Sequence, residues 1–335
     1  AFGFVVGAAG ASIAGLAITA SSFLMFVCGL ALMGPANAAA GLSRFAAAEV
    51  HPPQERGRAI ANVVVGGTAG TLIWPALTVS LGPWLAGMGF SDLLWPYVVS
   101  FALLTGTALV IAAFLRPDPR EIAQALAEKD RTTSSELRTD KSVGTILRRP
   151  GVIVAIGSMV CGHAIMVMVM VITSLHMRNH QHGVPAISLM TSVHVLGMFA
   201  FSIMSGRLAD RAGRAPVIMS GAIVLMLACV AAPLSPAFAP ITLALFLLGL
   251  GWNFCFVGGS SLLSDELSPA ERARIQGFND LIMGLVAATG SFLSGHVFAA
   301  VGYRMMGMIA AMCALAPFGL ACWWQLARPK RMAVA

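Results

Sequence analysis

Three titratable side chains, His163, His194 and Asp280, sit inside long apolar runs. Polar groups in such sequence are costly in a bilayer and usually face a cavity. Imidazole titrates within a few units of neutrality, so His163 and His194 are candidate proton carriers. Asp280, beside Asn279, is the one acid expected within a span and is a third candidate. Asn37, Trp252 and Asn253 are the remaining polar groups at mid-span depth. With His163 they form the candidate substrate-binding set. Amides offer paired donors and acceptors, and Trp252 with Phe254 and Phe256 offers aromatic faces for a planar or apolar ligand. A further group holds Met166, Met168, Met170, His176, Met177, His180, His182 and Met190. Such soft ligands can bind transition metals. The methionines alternate with valine, however, as packing residues do, and no metal site is assigned.

Other chemistries lack their parts. No cluster of carboxylates, histidines or metal ligands marks an enzyme. No phosphate-binding P-loop is present, so neither a nucleotide cofactor nor ATP-driven pumping is expected. The six cysteines all lie in apolar runs without a CxxC pair, as small buried residues do.

The elements that must position these residues follow from composition. The chain has 335 residues, 58% hydrophobic and 10% charged, with a mean hydropathy of +0.83. Soluble domains are about 25% charged. So apolar a chain cannot cover itself with polar side chains in water, which disfavours a soluble enzyme or a nucleic-acid module. It reads as an all-α, polytopic helical membrane protein. A span needs about 20 apolar residues. The gaps between charges give ten spans, near 1–18, 22–46, 60–83, 93–115, 150–172, 187–206, 215–233, 238–262, 275–298 and 303–325.

If loops alternate across the bilayer, 19 of the 21 Lys and Arg fall on one side; only Arg178 and Arg304 fall on the other. The positive-inside rule makes the basic side cytoplasmic and places both chain ends there. The net charge of +7 is then an orientation signal and needs no nucleic acid. The expected setting is a bacterial inner membrane, and the expected state a monomer.

Residues 116–149, with eight basic and six acidic residues, separate two halves, 1–115 and 150–335. They read as a cytoplasmic linker. The halves repeat each other. Pro52-Pro53-Gln54-Glu55-Arg56-Gly57-Arg58 corresponds to Ser268-Pro269-Ala270-Glu271-Arg272-Ala273-Arg274 at an offset of 216, which also pairs Asn37 with Asn253. Parallel repeats of a helical bundle are a recurring transporter plan.

After the sixth span comes Gly206-Arg207-Leu208-Ala209-Asp210-Arg211-Ala212-Gly213-Arg214. This closely resembles the G-x-L-a-D-r-x-G-r signature of the major facilitator superfamily, which lies between the second and third helices of each six-helix half. The P-x-x-E-R-x-R segments fit the same family. The resemblance implies two pseudo-symmetric halves, with this chain as helices three to twelve of twelve and the first two missing. A Gly-rich antiporter motif is only partly matched by Gly66-Gly67-Thr68-Ala69-Gly70, without its closing pattern. The family's cavity is lined by its first, fourth, seventh and tenth helices, which implies a central position for Asn37, His163, Trp252 and Asn253.

For the signature, the expectation is a gating cluster on the cytoplasmic side. Gly206 and Gly213 would allow tight turns. Asp210 would meet the helix start near Ile60 in the other half. Arg207, Arg211 and Arg214 would bridge carboxylates, with Asp265 or Glu266 as a partner. Arg56, Arg58, Arg272 and Arg274 would join the same basic surface. The functional expectation is a secondary transporter of a small organic solute, working by alternating access and coupled to protons. The alternatives are a drug/proton efflux antiporter, a transition-metal transporter, and a non-transporting sensor or assembly partner.

Overall fold

The computed structural model describes residues 1–50, 63, 66, 70, 73, 77, 80–89, 91, 93–116 and 142–327. Among them no strand occurs, and eight helical stretches are long and apolar enough to cross a membrane. The last stretch runs from Arg274 to Ala327 and is 54 residues long, enough for two spans. Gly302 interrupts it at φ 74°, ψ 173°, backbone that only glycine adopts readily. The expected span at 60–83 falls mostly outside the described residues, of which 80–87 are helical. The protein is an all-α, multi-pass membrane protein.

The chain divides into two compact units, residues 1–137 and 138–335. In the first, α1 (Phe2–Thr19) packs on α2 (Phe23–Glu49) and on α3 (Trp95–Phe114). Small residues cause the fit. A Cβ on Gly10 would lie 2.6 Å from the carbonyl oxygen of Gly29, so the two backbones touch. Within lipid, packing of this kind replaces the hydrophobic drive that brings helices together in water. Tyr97 on α3 meets Phe26 on α2 edge to face, with ring centroids 5.6 Å apart.

The second unit begins with a short helix, α4 (Val143–Leu147), whose Ile146 is buried. There follow α5 (Pro150–Asn179), α6 (Val184–Phe199), α7 (Ser202–Ala212), α8 (Arg214–Ala231), α9 (Phe238–Glu266), α10 (Pro269–Cys313) and α11 (Leu315–Ala327). Helix α9 is central: it packs against α5, α6, α7 and α8. Where it crosses α8, a Cβ on Gly251 would stand 2.8 Å from the Leu225 nitrogen. That spacing explains why an apolar helix carries so many glycines.

Two departures from the charge-gap map have physical causes. Helices α5 and α9 run past the expected ends at 172 and 262, through Arg178 and through Asp265 and Glu266. Backbone hydrogen bonding does not stop where the apolar sequence stops, so charges mark the membrane surface and not the helix end. The span expected at 187–206 is two helices, α6 and α7, with a break at Ala200–Phe201. Periodicity does not encode that break; a side chain of α9 does.

Candidate functional site

The polar centre of the second unit is built by α5, α6 and α9. His163 is half-buried on α5, and Trp252 on α9 is 5% exposed. The indole Nε1–H donates to His163 Nδ1 at 3.1 Å. Gly162 brings the two helices together: a Cβ there would sit 3.1 Å from the Cys255 Cβ. Trp252 stacks on Phe256 one turn later, centroids 4.8 Å apart and 14° from parallel. Phe199, the last residue of α6, meets it edge-on at 5.9 Å. Phe256 covers one face of the indole, and little of the residue is left exposed. The sequence suggests Trp252 as a stacking platform; the described rings beside it are Phe256, Phe199 and His163.

Asn253, 1% exposed, points to the break between α6 and α7. Its Nδ2 donates to the Met198 carbonyl at 2.6 Å and to Ser202 Oγ at 2.9 Å. Its Oδ1 accepts from Ser205 Oγ. A side-chain amide thus takes a carbonyl at the broken turn, a recognised cause of helix kinks. The amide is committed to neighbouring helices. Asn37, its partner under the repeat, is exposed on α2, two residues after Pro35.

His194, 2% exposed, lies on α6 and its Nδ1–H donates to the Leu245 carbonyl of α9 at 2.7 Å. Its Nε2 is sealed and, among the described residues, lacks a partner. A proton added there would create a buried, unpaired N–H, which is costly. Asp280 is half-buried on α10, beside the buried Asn279. Of the two histidines, His163 is the accessible one.

On the basic side, Arg214 at the start of α8 bridges two carboxylates. It contacts Asp210 one turn earlier and, through Nε at 3.0 Å, Asp265 near the end of α9. Asp210 lies in the last turn of α7, not at a helix start, and Ile60, its expected neighbour, lies outside the described residues. Gly213 makes the turn between α7 and α8 at φ 95°, ψ 163°. Gly206 makes no turn: it lies within α7, and a Cβ there would meet nothing within 4 Å among the described residues. Arg207, Arg211 and Arg274 are exposed. Arg56, Arg58 and the Arg272 side chain lie outside the described residues.

Two further residues were not singled out by the sequence. Arg149, just before α5, forks onto Glu271 of α10 at 3.1 and 2.7 Å and donates to the Glu266 carbonyl at 2.9 Å. Glu271 also caps its own helix, accepting from the Ser268 backbone N–H at 3.0 Å. The Arg149 guanidinium, with that backbone N–H, holds the Glu271 carboxyl down at about 2. The same carboxylate raises the Arg149 pKa further. The Ser-x-x-Glu spacing of a capping box and an arginine directly before a helix-starting proline were the available signals.

On the opposite side, His176 stacks on Tyr303 at 4.2 Å. The Tyr303 hydroxyl bonds Thr173 Oγ1 at 2.6 Å. His180 donates from Nδ1 to the His176 carbonyl, and His182 from Nε2 to the Pro236 carbonyl. Met166, Met177 and Met190 are core residues. Among the described residues no three His, Cys, Asp or Glu side chains are grouped to hold a metal ion.

Apolar helices, close contacts at small residues and isolated buried polar pairs define a multi-pass helical membrane protein. The chain belongs to the Major Facilitator Superfamily, whose sequence model matches residues 1–179 and again 154–334. YdeG of Bacillus subtilis strain 168, an uncharacterized MFS-type transporter, is 31% identical over 96% of this chain and 75% of its own length. YddS of the same strain, described in the same words, is 29% identical over 96% of this chain and 74% of its own length. The riboflavin transporter RfnT of Brucella anthropi is 31% identical over 92% of this chain and 74% of its own length.

Proposed function

We propose that this protein is a secondary active transporter of a small planar organic solute in a bacterial inner membrane. It works by alternating access, as a monomer, with both ends of this chain in the cytoplasm. His163 contacts the solute, and transport is coupled to protons. The observation behind this reading is the His163–Trp252 hydrogen bond, which holds a half-buried imidazole amid apolar residues. A titratable group there is expensive unless used. The similarity to a riboflavin transporter points to planar heterocycles as the solute class. Arg214, Asp210 and Asp265 act as the gate on the basic side, closing when the fork forms and parting when the helices move. Asn253 serves as a clamp on the broken helix.

Uptake of riboflavin and other planar heterocycles into proteoliposomes, with and without a pH gradient, tests the proposal. Gradient-dependent uptake, reduced in His163→Gln, is expected. If no solute moves under either condition, the reading fails. If uptake ignores the gradient, proton coupling fails.

A further inference from the structure

We infer that Trp252 fixes His163 in one tautomer, so that the site presents an N–H donor and selects planar solutes bearing a hydrogen-bond acceptor. The choice of planar solutes rests on the function proposed above; the tautomer does not. An indole N–H can only donate. At 3.1 Å from His163 Nδ1 it requires a lone pair there, and neutral imidazole must then carry its hydrogen on Nε2. Among the described residues Nε2 has no hydrogen-bond partner, and it is not one of the sealed atoms. The N–H thus keeps some exposure, and no described group takes its hydrogen.

Trp252 has little freedom to turn away. Phe256 lies flat against it, Phe199 abuts it, and it is 5% exposed. His194 shows the opposite arrangement: its Nδ1 holds the hydrogen and its Nε2 is sealed. His163 and His194 thus have opposite tautomers, and of these two only His163 keeps a donor that is not already bonded or sealed. A carbonyl or imine edge of a flat heterocycle satisfies that donor. A ring without acceptors leaves it unpaired, and a site built for a hydrogen bond rejects the analogue that lacks it. Trp252 is a positioning residue in this scheme, acting through His163.

The first test is nitrogen NMR of His163 in the purified protein in nanodiscs, in mildly alkaline buffer. A single Nε2–H tautomer is expected, with a mixture in Trp252→Phe. A mixture or an Nδ1–H tautomer in the unsubstituted protein overturns the inference, and that measurement needs no variant to fold. The second test is binding of riboflavin, which carries ring carbonyls, against acridine methiodide, a flat ring system with no free acceptor. His163→Leu should weaken riboflavin binding about five-fold, the loss of one net hydrogen bond, and Trp252→Phe about two-fold, since only the fraction in the donor tautomer binds; both should leave the acridinium unchanged. Equal loss for both probes, or for neither, overturns the selection. If neither probe binds while the tautomer is single, the planar-solute reading falls with the selection, and the tautomer assignment stands.

Discussion

Arg149 and Glu271 form a two-bond fork, at 3.1 and 2.7 Å, between residues 122 positions apart. The fork ties the start of α5 to the start of α10. Its third bond, to the Glu266 carbonyl, adds the end of α9. Three helix ends are thus gathered by one guanidinium, whose planar shape suits paired oxygens better than the point charge of lysine.

Glu271→Gln should destabilise the protein by about 1 kcal/mol, since the pair is partly exposed and such pairs contribute modestly. Its signature is in the pH dependence. A carboxyl held at about 2 binds fewer protons folded than unfolded, where it titrates near 4.3. Its contribution is fully present above that ordinary value and is lost as pH falls toward about 2. Thermal unfolding in detergent should therefore show a shallower acid slope for Glu271→Gln than for the unsubstituted protein. An unchanged slope removes the fork from the account. Arg149→Lys should give a partial loss.

Asn253→Ala removes three hydrogen bonds at the α6–α7 break. Bonds between membrane helices average roughly 0.6 kcal/mol each, so a loss of about 1–2 kcal/mol is expected. Ser205→Ala alone should cost less, and adding it to Asn253→Ala should cost almost nothing more, because the partner is already gone. Additive losses in a thermal-shift series would count against a shared network.

The two signature glycines should behave differently. Gly213→Ala forces a side chain onto backbone at φ 95°, ψ 163°, at a cost of about 1–3 kcal/mol. Gly206→Ala lies in a helix with no described atom within 4 Å of the added carbon and should be neutral or slightly stabilising. Comparing the unfolding midpoints of the two variants in the same detergent decides this.

Arg214→Gln breaks both contacts of the proposed gate. It should slow solute uptake several-fold and raise the labelling of cysteines introduced along the basic ends of α7 and α9. Arg211→Gln, on an exposed residue of the same run, should leave both near normal. Similar effects from the two variants would argue for general surface charge in place of a gate.

The helices were legible because lipid imposes a simple rule: long runs without charge. The Gly213 turn was legible because glycine has few other reasons to follow Arg-x between two spans. The break at Ala200–Phe201 was not, because its cause is Asn253, some fifty residues away. The packing around Trp252 was hidden for a related reason. Residue type gives an aromatic face, but only the neighbours Phe256 and Phe199 show that the face is taken. Arg149 was hidden in a run of linker charges, where nothing local separates a residue with a fixed partner from one in water. Glu271 was readable as a cap but not as a second residue's anchor.

The distance along the chain between the two halves of the Arg149–Glu271 fork also bears on synthesis. Arg149 is made before α5, and Glu271 only after α5 to α9 are complete. Throughout that interval the start of α5 lacks its anchor. The fork can close only after α5 to α9 have been made, with most of α10 and all of α11 still to follow. One guanidinium thus waits for two helix ends that are synthesised more than a hundred residues after it.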